Sequence, residues 1–130
     1  MPAENGAINY ILNHSDSVFC IQEEKTSALP VDRSILSDAS GVESLIASSK
    51  VLGTQKFYVG SYGCDDNPES VVKIDSFVYF ANKSRQEVYR FSPDTGVSVI
   101  SESGMKQYFR NIFNRVIAGD GGVRVVGGYD

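Results

Sequence analysis

Apolar residues along this chain fall in short runs of alternating or clustered positions, and turn-forming residues separate the runs. This spacing is typical of β-strands joined into hairpins, because successive side chains of a strand point to opposite faces of a sheet. The turn at 93–96 is the clearest. Its proline fixes the φ angle, its aspartate can hydrogen-bond to the nearby backbone, and its glycine adopts a positive φ without strain. The pattern predicts a mainly β fold of antiparallel hairpins, with strands near 18–21, 27–31, 56–59, 71–74, 75–80 and 88–93.

One segment has helical periodicity instead. Between residues 104 and 116, apolar side chains recur three and four positions apart, which places them on one face of an amphipathic α-helix. We expect four residues of this stripe to be buried against a sheet or a partner subunit: Tyr108, Phe109, Ile112 and Phe113. A shorter helical pattern with capping-box spacing follows Ser40. The sequence therefore predicts one or two helices beside the sheets.

The strand pattern occurs twice, at an offset of about 60 residues. Residues 16–21 resemble 75–80, similar runs follow each, and a glycine that opens a helical pattern closes each copy, at Gly41 and Gly104. We expect a single unit over 1–130 with approximate internal repeats at 7–60 and 61–130. The run 123–126 begins a further strand just before the sequence stops, which favours a segment of a longer polypeptide.

Composition restricts the classes of partner. The formal charge is −4 and the twelve basic residues are scattered, so the basic stripe that phosphate binding needs is absent. No apolar run approaches the roughly 20 residues that span a bilayer. The first six residues lack the basic and apolar regions of a signal peptide. We expect no nucleic-acid partner, no membrane partner and synthesis in the cytoplasm.

Few residues suggest catalysis. His14 is the only histidine, which excludes a two-histidine zinc site built from this chain. His14 with Cys20 or Ser17 would need an orienting acid and an oxyanion donor, which the spacing does not supply. We expect a surface or turn histidine, a buried and inert Cys20, and a Cys64 that could be exposed; a Cys20–Cys64 bridge stays open. The sequence predicts no enzyme and no cofactor, and a hydrolase would require converging carboxylates or a Cys-His pair in a pocket.

A cluster of oxygen-bearing side chains lies between residues 63 and 70. Calcium takes six to eight oxygen ligands, but the spacing here lacks the alternating ligands and central glycine of a calcium loop. We therefore expect a solvated turn and no metal site. The alternative is a binding loop in which Tyr62, Asp65, Asp66 and Asn67 contact a receptor or glycan through stacking and polar groups.

The order of short runs along the chain carries a family resemblance. These runs are 51–54, 62–63, 67–71, 78–80, 88–91, 96–97, 100–105, 108–109 and the ending 127–130. In this order the chain resembles repeats in large virion structural proteins of tailed bacteriophages, from about residue 7 onward. The resemblance implies a tail or tail-associated component built from propeller-like β repeats. It transfers no catalytic residues.

Taken with the residue patterns, the resemblance favours a non-enzymatic structural or assembly component of a phage virion, in the tail region. It would act through contacts with other virion structural proteins in an oligomeric assembly. Two blade-like units alone would leave apolar sheet faces and unpaired edges exposed, so we expect further polypeptide or partner subunits to cover them. The alternative is a β module that binds a host receptor or glycan.

Overall fold

In the computed structural model, the residues described are 3–14, 17–31, 35–37, 43–45, 55–119 and 124–130, without the side chains of 35–37 and 43–45. Some predictions rest on positions that are not among these residues: Asp16, Gly41, 51–54 and Val123.

Short antiparallel strands make up most of the described chain. The strands are β1 (Ile8–His14), β2 (Ser17–Gln22), β3 (Thr26–Pro30), β4 (Ile35–Ser37), β5 (Glu43–Leu45), β6 (Lys56–Phe57), β7 (Val72–Ile74), β8 (Phe77–Asn82), β9 (Glu87–Ser92) and β10 (Gly96–Val99). One α-helix, α1 (Lys106–Ala118), follows them, and 3₁₀ turns occupy Ala3–Asn5, Pro68–Ser70 and Ile100–Glu102. None of the described helices is long and apolar enough to cross a membrane.

The strands form two four-stranded sheets and a two-stranded ribbon. Sheet I has the order β1-β2-β3-β6, sheet II has the order β10-β9-β8-β7, and β4 pairs with β5. All pairings are antiparallel. The mainly β prediction is therefore confirmed. The similar segments 16–21 and 75–80 fall largely in β2 and β8, each the second strand of its sheet, while the division into repeats stays a prediction.

The core lies between one face of sheet I and one face of sheet II. In sheet II, register places Val78, Phe91 and Val97 side by side. The ring of Phe91 meets that of Phe19 from sheet I with centroids 4.3 Å apart. The buried residues of this cluster are Phe19, Ile21, Cys64, Val71, Val78, Phe80, Tyr89 and Phe91. Removal of these aromatic and aliphatic surfaces from water holds the two sheets together.

Helix α1 packs against β9 and the 3₁₀ turn that precedes it. It ends at Gly119, whose N–H donates to the Arg115 carbonyl at 3.0 Å. Phe113 is buried with 2% of its surface exposed, Phe109 and Ile112 are half-buried, and Tyr108 is 56% exposed. The helix lies where the periodicity predicted it. Tyr108 does not join the core of this chain.

Two local predictions are wrong. The helical pattern after Ser40 does not form a helix at 43–45: those residues form strand β5, because pairing with β4 satisfies their backbone groups in extended form. The strand expected at 123–126 is absent from the described part, 124–126. That segment is held by side chains instead of by a strand ladder.

Candidate functional site

The sequence-predicted binding loop lies between the two sheets and connects them. We refer to residues 62–70 as the inter-sheet loop. The N–H groups of Cys64 and Asp65 donate to the carbonyls of Gln22 and Glu23, each at 3.1 Å, at the β2–β3 turn. On the other side, the Asn82 amide at the end of β8 donates to the Gly63 carbonyl at 3.1 Å. The loop therefore joins one end of sheet I to one end of sheet II.

Its polar side chains are used within the protein. The Asp65 carboxylate accepts hydrogen bonds from the Ser84 hydroxyl at 2.6 Å and from the Ser84 N–H at 3.3 Å. Lys83 lies 2.7 Å from the Asp66 carboxylate, and its hydrogen bond lowers the pKa of that carboxyl. Tyr62 is half-buried, with its ring 5.2 Å from that of Tyr89. The structure thus brings the four predicted residues into one loop, mostly in internal contacts.

Asn67 is fully buried and acts as a backbone substitute. Its side-chain amide donates to the Val125 carbonyl at 2.6 Å and its side-chain oxygen accepts from the Val125 N–H at 3.1 Å. Next to it, Glu69 pairs with Arg124, and the Glu69 carbonyl accepts from the Gly127 N–H at 2.8 Å. The expectation of a solvated turn holds for Asp66, whose side chain is 74% exposed, and is wrong for Asn67, which is buried and anchors residues 124–127 together with Glu69.

Neither cysteine is placed for nucleophilic chemistry. Cys20 and Cys64 are both free and buried, so the expectation for Cys20 is confirmed and an exposed Cys64 is wrong. Burial raises the pKa of Cys20, and it raises the pKa of Cys64 to about 11. A thiolate is the reactive form of cysteine, and both thiols hold their protons at neutral pH.

His14 is buried rather than on the surface, contrary to expectation, with 8% of its area exposed. Its Nε2 lies 2.9 Å from the Ser76 carbonyl, and its ring meets Phe91 edge-on at 5.2 Å. This nitrogen is therefore committed to the β7–β8 turn. In the described residues, no group of three His, Cys, Asp or Glu side chains could hold a metal ion.

A small cleft opens at the mouth between the sheets beside His14. Its volume is about 190 Å³, and its lining includes Phe19, Tyr58 and Phe91. Ligand pockets usually measure about 300–1,000 Å³ and carry convergent polar groups. The cleft is smaller than that range and is lined largely by aromatic rings.

Apolar side chains are exposed on several outer parts of the molecule. Strand β1, the outermost strand of sheet I, exposes Ile8 (41%), Tyr10 (38%) and Ile11 (58%). Other exposed apolar residues are Phe57, Val59, Phe77, Met105, Tyr108, Ile117, Val126 and Tyr129. Strand β1 was not among the predicted strands, although Ile8, Tyr10 and Leu12 recur at every second position, which is a strand signal. These exposed side chains offer surfaces for contact with other proteins.

The comparison with protein families agrees with this picture. The model of a family described as Crassvirus muzzle protein matches residues 1–123. The chain belongs to the Crassvirus muzzle protein family. It is therefore a phage virion structural protein, located in the virion and in contact with other virion components. The prediction of a virion structural protein is thereby confirmed. No curated protein matches the chain.

Proposed function

We propose that this Crassvirus muzzle family protein is a non-enzymatic assembly component of the tail region of the virion, acting through subunit contacts. The observation that carries the proposal is the exposed apolar surface of strand β1 at the edge of sheet I. Edge strands of this kind are templates for pairing with another chain.

Strand β1 is held in place at its ends. Near its start, the Asn9 side-chain amide donates to the Asp65 carbonyl. At its other end, the Lys73 ammonium donates to the Asn13 carbonyl at 2.9 Å, and His14 contacts the β7–β8 turn. The strand is thus held by the inter-sheet loop near its start and by sheet II at its other end, while Tyr10 and Ile11 remain exposed between them. A fixed strand binds a partner with little loss of conformational entropy.

The same proposal includes the arrangement of the sheets. Four antiparallel strands make a sheet of the size of a propeller blade. Sheets I and II pack face to face, which supports two blade-like repeats, 7–60 and 61–130, within an oligomeric assembly. The protonated, buried thiols and the committed His14 support a role without catalysis.

A receptor- or glycan-binding role gains less support from the inter-sheet loop. Binding through Asp65 and Asn67 would require these groups to leave Ser84 and Val125, whereas Asp66 is exposed beside Lys83. A glycan array probed with the purified chain tests this alternative. Binding that disappears in Tyr62→Ala would favour a glycan-binding role over an assembly role.

The assembly role is tested by placing a charge on the exposed edge. Ile11→Lys is expected to leave the fold intact and to reduce strongly the amount of the chain in purified phage particles. Docking of a partner on β1 would bury the charged lysine away from water, which costs free energy. Val59→Lys is the matched control: Val59 is 94% exposed and lies outside β1, so particles should contain it at the wild-type level. Normal incorporation of Ile11→Lys would contradict the proposed interface. Circular dichroism of both purified variants separates misfolding from failed assembly.

A further inference from the structure

The second face of sheet II, which does not pack on sheet I, carries apolar side chains on β7 and β8, Arg90 on β9 and Ser98 on β10. Strand register places Val72, Tyr79 and Arg90 in one row across this face, and Ile74 beside Phe77 in the next. All five are partly exposed, and Phe77 is 38% exposed. Helix α1 lies toward the other end of the sheet, where Asn114 bonds to Gln86 of the β8–β9 turn. We call the five residues the outer patch of sheet II.

Arg90 lies over the Phe77 ring of this patch. Its guanidinium carbon lies 5.6 Å from the centre of the Phe77 ring, in a cation–π arrangement. Its Nε is buried and has no hydrogen-bond partner. The ion pairs of the described residues involve other cations: Lys83, Arg85, Lys106 and Arg124. An arginine that lies on an aromatic ring, with no acceptor among the described residues, is suited to bind a carboxylate through the N–H donors of its two terminal nitrogens, since the buried Nε is out of reach of a partner.

We propose that the outer patch docks a different virion protein, through an apolar surface that carries an Asp or Glu for Arg90. The inference rests on the proposed assembly function and adds a second contact surface with defined chemistry. None of the five residues of the outer patch is acidic, so the same patch of a second copy offers no carboxylate for Arg90. Charge complementarity therefore requires a partner other than the same patch of a second copy.

Zero-length cross-linking in assembled particles tests the carboxylate directly. A carbodiimide joins a lysine amine to a carboxylate only when the two are in contact, so phage particles carrying Arg90→Lys are treated and digested. The expected product is an amide between position 90 and an Asp or Glu of another virion protein, identified by mass spectrometry. Particles carrying Arg90→Gln should lose this product and keep the cross-links of the other lysines.

Three outcomes overturn the inference: a link from position 90 to a carboxylate of its own chain, a link to a second copy, or no link. If particles with Arg90→Lys do not assemble, benzoylphenylalanine in place of Phe77 gives a photochemical cross-link with Arg90 intact. Its expected product is a peptide of another virion protein that contains a carboxylate near apolar residues. Binding of that purified protein should weaken at least tenfold in Arg90→Ala.

The two proposals fail in different ways. Absence of an effect of Ile11→Lys on particle content contradicts the assembly role of β1. Normal particles without a link from position 90 contradict only the outer-patch contact.

Discussion

At the scale of single residues, the inter-sheet loop depends on the glycine at position 63. A Cβ at Gly63 would lie 2.1 Å from the Glu23 carbonyl oxygen and 2.5 Å from that of Gln22. This close approach allows the neighbouring N–H groups of Cys64 and Asp65 to reach the same two carbonyls. The contact between the sheets at this end is therefore made by backbone, and it requires the absence of a side chain at position 63.

Gly63→Ala is expected to destabilise the protein by about 1–3 kcal/mol or more, since the atoms it meets are backbone atoms that cannot rotate away. Gly128→Ala is the matched control, because a Cβ there meets nothing within 4 Å. The free energy of unfolding from urea titration should change by no more than about 0.5 kcal/mol in the control. Equal stabilities of the two variants would show that the backbone at Gly63 can shift freely.

The buried Cys64 thiol makes the free energy of unfolding decrease at alkaline pH. Burial raises its pKa from 9.0 to about 11, so the folded chain keeps a proton that the unfolded chain releases above pH 9. The stabilisation is complete below pH 9 and is lost as the pH rises toward 11. Urea unfolding between about pH 8 and about pH 10 should show a decline in the free energy of unfolding that is smaller in Cys64→Ala. An unchanged decline would contradict this origin. Cys20, whose pKa is also raised, contributes to the decline that remains in Cys64→Ala.

Sequence reasoning located the residues of this loop but not their environment. Asp66 is exposed, but the burial of Asn67 is invisible in the local sequence because its partner, Val125, lies 58 positions further along the chain. For the same reason the burial of His14 could not be read locally, since it depends on Ser76 and Phe91 in sheet II. Tertiary contacts decide burial, and a single sequence shows only local pattern.

At the scale of elements, helix α1 is amphipathic over a narrower stripe than its sequence indicates. Only Phe113 is fully buried, while Phe109, Ile112 and Val116 are half-buried and Tyr108 faces solvent. The helix rests on β9 and the turn at 100–102, which together offer a narrow surface. Tyr108, Met105 and Ile117 are left exposed, and the burial of Tyr108 against a partner subunit stays a prediction.

Phe113→Ala is expected to cost about 3–5 kcal/mol, the usual range for a buried phenylalanine. Tyr108→Ala in the same helix should change the unfolding free energy by about 0.5 kcal/mol or less, as exposed substitutions do. Phe109→Ala should lie between them because its side chain is half-buried. Chemical denaturation of the three variants checks this order, and a large effect at Tyr108 would contradict the orientation of the helix.

Elements with strong hydrophobic periodicity were predictable from the sequence. Elements whose conformation depends on pairing with a distant strand were not. Strands β2, β3, β8 and β9 and helix α1 fall close to the segments that periodicity predicted. Glu43–Leu45 has helix-like capping spacing but pairs with β4, because strand pairing outweighs a weak local preference. Strand β1 was overlooked although it is the longest strand described, and with it the edge on which the proposed function rests.

At the scale of the whole molecule, the two sheets behave as one unit because the same aromatic residues serve both. Phe91 of sheet II contacts Phe19 of sheet I, Tyr58 beside β6 and His14 at the end of β1, with ring centroids 4.3, 5.2 and 5.2 Å apart. Neither sheet buries its inner face without the other. The folded chain should therefore unfold in a single transition.

Phe91→Ala is expected to lower the free energy of unfolding by about 3–5 kcal/mol while both sheets still unfold together. Far-ultraviolet circular dichroism and tyrosine fluorescence should give the same midpoint in urea, which is the test of a two-state transition. Separate midpoints in the parent protein would contradict the shared core. A separate midpoint that appears only in Phe91→Ala would identify Phe91 as the residue that couples the sheets.

The connectivity of the two sheets has a consequence for protein synthesis. The strands of sheet II follow one another through short turns, whereas sheet I is completed by β6, which residues 31–55 separate from β3. Local hairpins form rapidly, and closing a longer loop costs more chain entropy. Sheet I also needs the inner face of sheet II as a surface to pack on. The half of the chain that leaves the ribosome first is therefore the last to be completed. The nascent chain exposes Phe19 and Ile21 until β10 has been translated, and aggregation is the greatest hazard during that interval.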